Sequence, residues 1–306
     1  MRTILSLTLG TALLLNINTL GKENDLLKII SPTEKVAKLG TGMKFTEGPV
    51  WIPKEKRLVW SDIPNRRQMQ WTTKDGISEW RKVEASNGNL LDLEGNLLSC
   101  QHAGRNVIRT EADGKITVLA DSYKGMKLNS PNDLAIHSDG KIWFTDPTYG
   151  LKGKPSEIGK QNVYLLDPET GAVTVVRSDF DMPNGIAFSP DEKTIYISDT
   201  GKLGKIRAFE VPQSGSMQLQ QSLFEIDIRC DGMCVDVEGN LYTTSSGGIH
   251  VFDKAGKKIG LIPVEEHPAN VCFGGDDYKS LYITARKSLY SVKVKIAGAK
   301  PETAKW

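Results

Sequence analysis

Arg229-Cys-Asp-Gly-Met-Cys-Val-Asp-Val-Glu-Gly-Asn-Leu-Tyr-Thr-Thr244 places an acidic residue, Asp231, ten positions before a strand-like run that opens at Leu241. A Val237-Glu-Gly turn lies between them. Apolar residues on both sides of such a turn read as a β-hairpin, because Asp-Gly and Glu-Gly pairs supply the backbone angles of a tight reversal. The layout recurs. Comparable runs are Leu58-Val-Trp-Ser, Leu97-Leu-Ser-Cys, Ile142-Trp-Phe-Thr, Ile195-Tyr-Ile-Ser and Leu281-Tyr-Ile-Thr, with starts 39 to 53 residues apart. Each follows a polar turn, and apolar stretches such as Leu134-Ala-Ile or Ile186-Ala-Phe precede it. Second hairpins follow, for example Val163 to Val176 and Gly248 to Ile259. Four strands per unit with a period in the forties is the pattern of a propeller blade.

Six units predict an all-β, six-bladed β-propeller in one domain, with blades over residues 40–85, 86–121, 122–178, 179–225, 226–264 and 265–295. The segment Glu34-Lys-Val-Ala-Lys-Leu39 is expected to add the outer strand of the last blade and remove its open edge. The tail Ala297–Trp306 is too polar to assign.

The remaining composition narrows the function class. A hydrophobic content of 39% with 25% charged residues is that of a soluble globular chain. With a net charge of +2 and basic residues scattered among acidic ones, no nucleic-acid-binding face is expected. Residues 1–21 differ: a short basic start, a dozen apolar residues and Thr19-Leu-Gly21 read as a secretory signal, too short for a membrane span. The mature propeller is then residues 22–306, exported to a periplasmic or extracellular space and free of the membrane. The four cysteines, Cys100, Cys230, Cys234 and Cys272, allow one disulfide in that compartment but fit small buried thiols better.

Aligning the units on their strand starts leaves one polar slot ten or eleven residues earlier in each, filled by Glu47, Asn87, Asn132, Asn184, Asp231 and Asn270. In a propeller the innermost strands converge on the axis, so one register forms a ring. Each Asn-Gly or Asp-Gly alone is explained by turn chemistry. Six oxygen-bearing slots at one register are explained better by a cation, since close carboxylates resist ionisation without one. Oxygen ligands suit a hard divalent ion, calcium above all, with magnesium or manganese able to substitute. Zinc is compatible but more often takes His or Cys.

Five segments carry a resemblance: Phe45-Thr-Glu-Gly-Pro-Val-Trp51, Leu128-Asn-Ser-Pro-Asn-Asp-Leu134, Trp143-Phe-Thr-Asp-Pro-Thr-Tyr-Gly-Leu151, Met182-Pro-Asn-Gly-Ile-Ala-Phe-Ser189 and Cys230-Asp-Gly-Met-Cys-Val-Asp236. Together, in this order over residues 40 to 290, they resemble the gluconolactonase / senescence-marker (regucalcin-like) family, and its bacterial gluconolactonase branch most. The resemblance implies a propeller with a central divalent metal and hydrolysis of sugar lactones. It implies Glu47, Asn184 and Asp231 as metal ligands, Asp231 also as general base, and Asn132 as a contact to substrate or metal. The regucalcin-like branch carries an Arg where this chain has Ser130, which leaves the sugar preference open.

Further site candidates come from position. Asp133 follows a ring residue and is either a second base or a turn cap. His102 follows an inner strand at the mouth and is either a substrate contact or a satisfied loop histidine. Arg105 and Tyr149 occupy post-strand positions that line the mouth, whereas Asp146 and Asp199 fit turn or packing roles better. No Gly-x-Ser-x-Gly motif supports a serine nucleophile. The expected function is metal-dependent hydrolysis of a small sugar-derived lactone, with carboxylate-activated water. The alternatives are a phosphotriesterase or arylesterase at the same site, or a calcium-stabilised binding propeller without turnover.

Overall fold

The computed structural model describes residues 25–213 and 217–306. The export segment expected over residues 1–21 lies outside them. Among the described residues, regular structure is β apart from one helical turn over 25–29 and three short 3-10 turns. No helix among them is long and apolar enough to cross a membrane.

Six four-stranded antiparallel sheets follow one another along the chain. Blade 1 comprises Thr46–Ile52, Arg57–Asp62, Arg67–Thr72 and Gly76–Lys82. Blade 2 comprises Ser86–Leu91, Leu97–Gln101, Asn106–Thr110 and Ile116–Ala120. Blade 3 comprises Leu134–Ile136, Ile142–Asp146, Asn162–Leu166 and Val173–Arg177. Blade 4 comprises Pro183–Phe188, Thr194–Asp199, Lys205–Glu210 and Phe224–Ile226. Blade 5 comprises Met233–Val235, Leu241–Ser245, Gly248–Phe252 and Lys258–Pro263. Blade 6 takes Pro268–Gly274, Ser280–Ala285 and Ser288–Lys293 from the end of the chain and Ala37–Thr41 from its beginning. The strands follow the six ranges read from the sequence, except that the outer strand of blade 4 runs one residue past 225 to Ile226 and the borrowed strand of blade 6 runs past Leu39 to Thr41. A small hairpin, Ser122–Tyr123 with Met126–Lys127, is the one addition, placed between blades 2 and 3.

Closure occurs where it was expected. Ala37 pairs with Ser291 and Thr41 with Ser288, so the last blade borrows its outer strand. The strand begins at Ala37 rather than Glu34, whose carboxylate instead accepts the Lys293 N–H at 3.4 Å.

Packing explains why the runs are apolar on both faces. Each gap between neighbouring blades holds its own apolar cluster. Leu98, Phe144 and Tyr164 fill the gap between blades 2 and 3. Trp143, Ile197 and Phe209 fill that between blades 3 and 4, and Tyr242, Leu281 and Tyr290 that between blades 5 and 6. The gap from blade 6 back to blade 1 holds Trp60, Tyr282 and Leu289, so the closure is apolar as well as hydrogen-bonded. Burying a side chain of this size stabilises by roughly 1.5–3 kcal/mol.

The tail that resisted assignment is ordered. Ala299 N–H donates to Val235 O, Gly298 N–H to Tyr278 O and Lys305 N–H to Leu93 O. The Trp306 indole donates to Asp92 O at 2.6 Å. Those partners sit at the turns between first and second strands, so the tail crosses the end of the channel opposite the ring of polar slots. A cavity of about 190 Å3 lies between the two, lined by Val50, Met233, Val271 and Trp306 among others.

Candidate active site

The six slot residues stand where each innermost strand begins. In blades 1, 2, 4 and 6 the register shifts there, between Glu47 and Val50, Ser86 and Asn89, Pro183 and Ile186, and Pro268 and Asn270. Such bulges re-aim a side chain that regular pleating would send elsewhere. Glu47, Asn87, Asn132, Asn184 and Asn270 are buried, and Asp231 is half-buried.

Backbone contacts knit the slots into a hoop. Gly88 N–H donates to Asn132 O at 2.8 Å, Gly185 N–H to Asp231 O at 3.1 Å and Gly232 N–H to Ala269 O at 2.7 Å, each from one blade to the next. Glycine follows the slot in these blades for want of space: a Cβ on Gly185 would lie 2.3 Å from Asp231 O. Hydroxyls at the ends of second strands repeat the link. Ser61 Oγ donates to Asn87 O at 2.7 Å, Thr145 Oγ1 to Asn184 O at 2.7 Å and Ser198 Oγ to Asp231 O at 3.1 Å. Thr244 Oγ1 donates to Ala269 O at 2.9 Å.

A third device holds the segments that enter the ring. Asp62 accepts the N–H groups of Lys44 and Phe45, Asp146 those of Asn129 and Ser130, and Asp199 those of Asp181 and Met182. In each case the donors lie three and two residues before Glu47, Asn132 or Asn184. Asp146 and Asp199 thus have the structural role expected of them, and Asp62 shares it.

At the axis the carboxylates crowd. Burial, then the charges of Asp231 and Asp133, raise Glu47 well above the usual range, although Gly48 N–H donates to its Oε2 at 3.0 Å. Burial and then Asp133 raise Asp231, opposed by a hydrogen bond from Asn184 and the charge of Arg286. Burial pushes Asp133 up to about 7. Its Oδ1 accepts Leu134 N–H at 3.0 Å, as a turn cap would, while Oδ2 accepts Asn270 Nδ2 at 3.3 Å from the opposite blade. Asp133 therefore spans the axis.

Among the described residues, no lysine or arginine forms an ion pair or hydrogen bond with these three carboxylates, and Asn87 Oδ1 is buried without a donor. Anionic oxygens and an unsatisfied carbonyl around one axis are what a hard divalent cation satisfies. Among the described residues no three His, Cys, Asp or Glu side chains gather into a metal cage by themselves. A ligand set must then include amides, which fits two carboxylates with Asn184 and Asn132.

His102 takes part through Asn87. Asn87 Nδ2 and His102 Nε2 are 3.1 Å apart, so the amide donates and the imidazole accepts, which makes it neutral with its proton on Nδ1. Burial lowers its pKa to about 4, consistent with that state. Arg105 is held away from the ring: it donates to Leu128 O at 2.6 Å and pairs with Glu157 at 2.9 Å. Ser130 is fully buried and donates to Pro147 O at 2.6 Å. The four cysteines are free thiols, two of them buried and two half-buried.

Sequence reading missed the Ser/Thr links, although a hydroxyl closes most of the second-strand runs. It also missed Thr200, whose Oγ1 receives Asn184 Nδ2 at 3.4 Å.

Residues 45–287 match the family described as SMP-30/Gluconolactonase/LRE-like region. A gluconolactonase of Zymomonas mobilis is 28% identical, over 89% of this chain and 84% of its own. A pentonolactonase of Haloferax volcanii is also 28% identical, over 80% of this chain and 82% of its own. A solved gluconolactonase structure from Xanthomonas campestris superposes with a TM-score of 0.82 at 32% identity, covering 88% of this chain and 92% of that one.

Proposed function

The chain belongs to the SMP-30/gluconolactonase/LRE-like family, and on that premise we propose that it is a divalent-metal-dependent hydrolase of sugar-derived lactones. The observation that carries the reading is the ring: three crowded carboxylates, Glu47 and Asp133 buried and Asp231 half-buried, and an orphan amide oxygen. Relatives named gluconolactonase and pentonolactonase support the substrate class.

Glu47, Asn184 and Asp231 are assigned as the residues that hold the cation, calcium in first place, with Asn132 beside them. When bound, a divalent cation polarises the lactone carbonyl and offsets the charge that develops on its oxygen. Asp231 takes a proton from the attacking water, since a carboxylate beside the cation is placed to accept it. Glu47, with its carboxylate pinned by Gly48 N–H, is assigned to holding the cation rather than moving protons. His102 accepts the Asn87 amide N–H, which leaves the buried Asn87 carbonyl oxygen unpartnered and available. Asp133, bonded at both oxygens, fixes the floor of the ring through Asn270.

A panel of aldonolactones, aryl esters and phosphotriesters, assayed after chelation and re-addition of calcium, magnesium, manganese or zinc, tests the reading. Aldonolactones are expected to turn over fastest, with calcium. Faster phosphotriester hydrolysis, or no metal-dependent turnover at all, would overturn it. We also propose export, supported by the basic start and apolar run of residues 1–21. The mature protein recovered outside the cytoplasm is then expected to begin near Lys22 by N-terminal mass spectrometry; an intact Met1 there would refute this.

A further inference from the structure

Tyr149 is 42% exposed and has no part in the chemistry assigned above. It opens the 3-10 turn Tyr149–Leu151, which follows the second strand of blade 3. That turn is held down from below. Ser130 Oγ donates to Pro147 O at 2.6 Å and accepts Gly150 N–H at 2.8 Å. Thr148 N–H donates to Gln161 Oε1 at 2.9 Å, and Leu151 is buried beneath. Gly150 lies so close that a Cβ there would stand 2.6 Å from Ser130 Cβ and 2.9 Å from His102 Cβ. The turn is part of the frame.

From it the phenol reaches over to blade 4. Its O–H meets Thr200 Oγ1. The Thr200 proton goes to Met182 O at 3.2 Å, which makes the tyrosine the donor. The same Thr200 oxygen receives Asn184 Nδ2. Through Thr200 the phenol is one hydrogen bond removed from the Asn184 amide, so it lies beside the ring. Its edge is tethered, its loop is pinned, and much of its surface is open at the mouth.

We infer that Tyr149 is the recognition platform for the substrate ring: it presents a fixed aromatic face above Asn184 and Asp231 and selects a five- or six-membered polyhydroxylated lactone by contact with its C–H face. The face of an aromatic ring is electron-rich and attracts the polarised C–H bonds of a saturated, oxygen-substituted ring. A side chain fixed beforehand loses little freedom on binding, so more of that attraction appears as affinity. Ser130 is a positioning residue in this scheme, acting through the turn. The inference deepens the lactonase reading and rests on it for the substrate class.

The test uses Tyr149→Ala, Tyr149→Phe and Ser130→Ala, each loaded with calcium. Titration calorimetry measures binding of an aldonolactam, a ring analogue that resists hydrolysis, and kinetics measure KM and kcat on the matching lactone. Tyr149→Ala is expected to weaken lactam binding and raise KM about tenfold, with kcat changed less than about threefold. Tyr149→Phe keeps the face and is expected to stay within about threefold of the native protein; Ser130→Ala falls between the two. Calcium affinity is expected to be unchanged in all three. Native lactam binding by Tyr149→Ala, equal losses in the Phe and Ala variants, a parallel fall in calcium affinity, or no lactam binding by the native protein would each overturn the inference. A native protein that binds the lactam through Tyr149 but hydrolyses no lactone would leave this inference standing and remove the lactonase reading instead.

Discussion

Asp231→Asn is expected to lower lactone turnover by about a hundredfold to ten-thousandfold, the range associated with loss of a positioned general base, while the propeller stays folded. The amide has the shape of the carboxylate and can still offer one oxygen to a cation, but it cannot take a proton from water. The stability readout is expected to move the other way. Asp231 is half-buried; its charge and that of Asp133 raise the cost of ionising Glu47, and the charge of Asp133 raises that of ionising Asp231. With the charge gone, the ion-free variant is expected to melt a few degrees above the ion-free native protein near pH 8, on the order of 1–2 kcal/mol. Thermal melts of the chelated proteins and turnover of the calcium-loaded ones check both halves. Retained turnover would remove Asp231 as the base, and a lower melting temperature would mean that the carboxylates are not in conflict.

Removal of the divalent ion is expected to abolish turnover and to destabilise the fold, both reversibly. At a calcium concentration a hundred times Kd, binding stabilises the native state by about 2.7 kcal/mol. The pH dependence has a defined sign. Asp133 titrates near 7 in the ion-free protein against an ordinary 3.8, so the protonated carboxyl's contribution is complete below pH 4 and is lost as pH rises through about 7. Ion-free protein therefore weakens with rising pH over that window. Cation binding must displace the retained protons, so apparent affinity is expected to rise from pH 5 to pH 8. Calorimetry in buffers of different ionisation enthalpy measures the protons released. An affinity that falls with pH would show that these carboxylates do not hold the ion.

Much of the architecture was readable before any coordinates, because the hairpin unit is repeated and its apolar runs must be buried on both faces. The ring was readable for the same reason: one register carries Glu47, Asn87, Asn132, Asn184, Asp231 and Asn270. What escaped depends on partners far away in sequence. Ser61 looks like the end of a strand until Asn87 O arrives from the next blade. Asp62 looks like a turn residue until Lys44 and Phe45 return to it. The tail, though polar, is held by bonds to blades 5, 6, 3 and 2, which no local pattern announces. Arg105 occupies the expected post-strand position, yet nearby carbonyls and Glu157 take up its guanidinium.

The hoop of glycine N–H groups and strand-end hydroxyls joins blade to blade through main-chain carbonyls. The width of the opening is therefore set by backbone, whatever side chain each position carries. Glu47, Asn184 and Asp231 are inserts in sockets of fixed spacing. A carboxylate can be exchanged for an amide at one socket, changing charge and chemistry there, without loosening the other five. A frame of this kind lets a lineage retune its reaction by single substitutions while the fold pays no toll for the experiment.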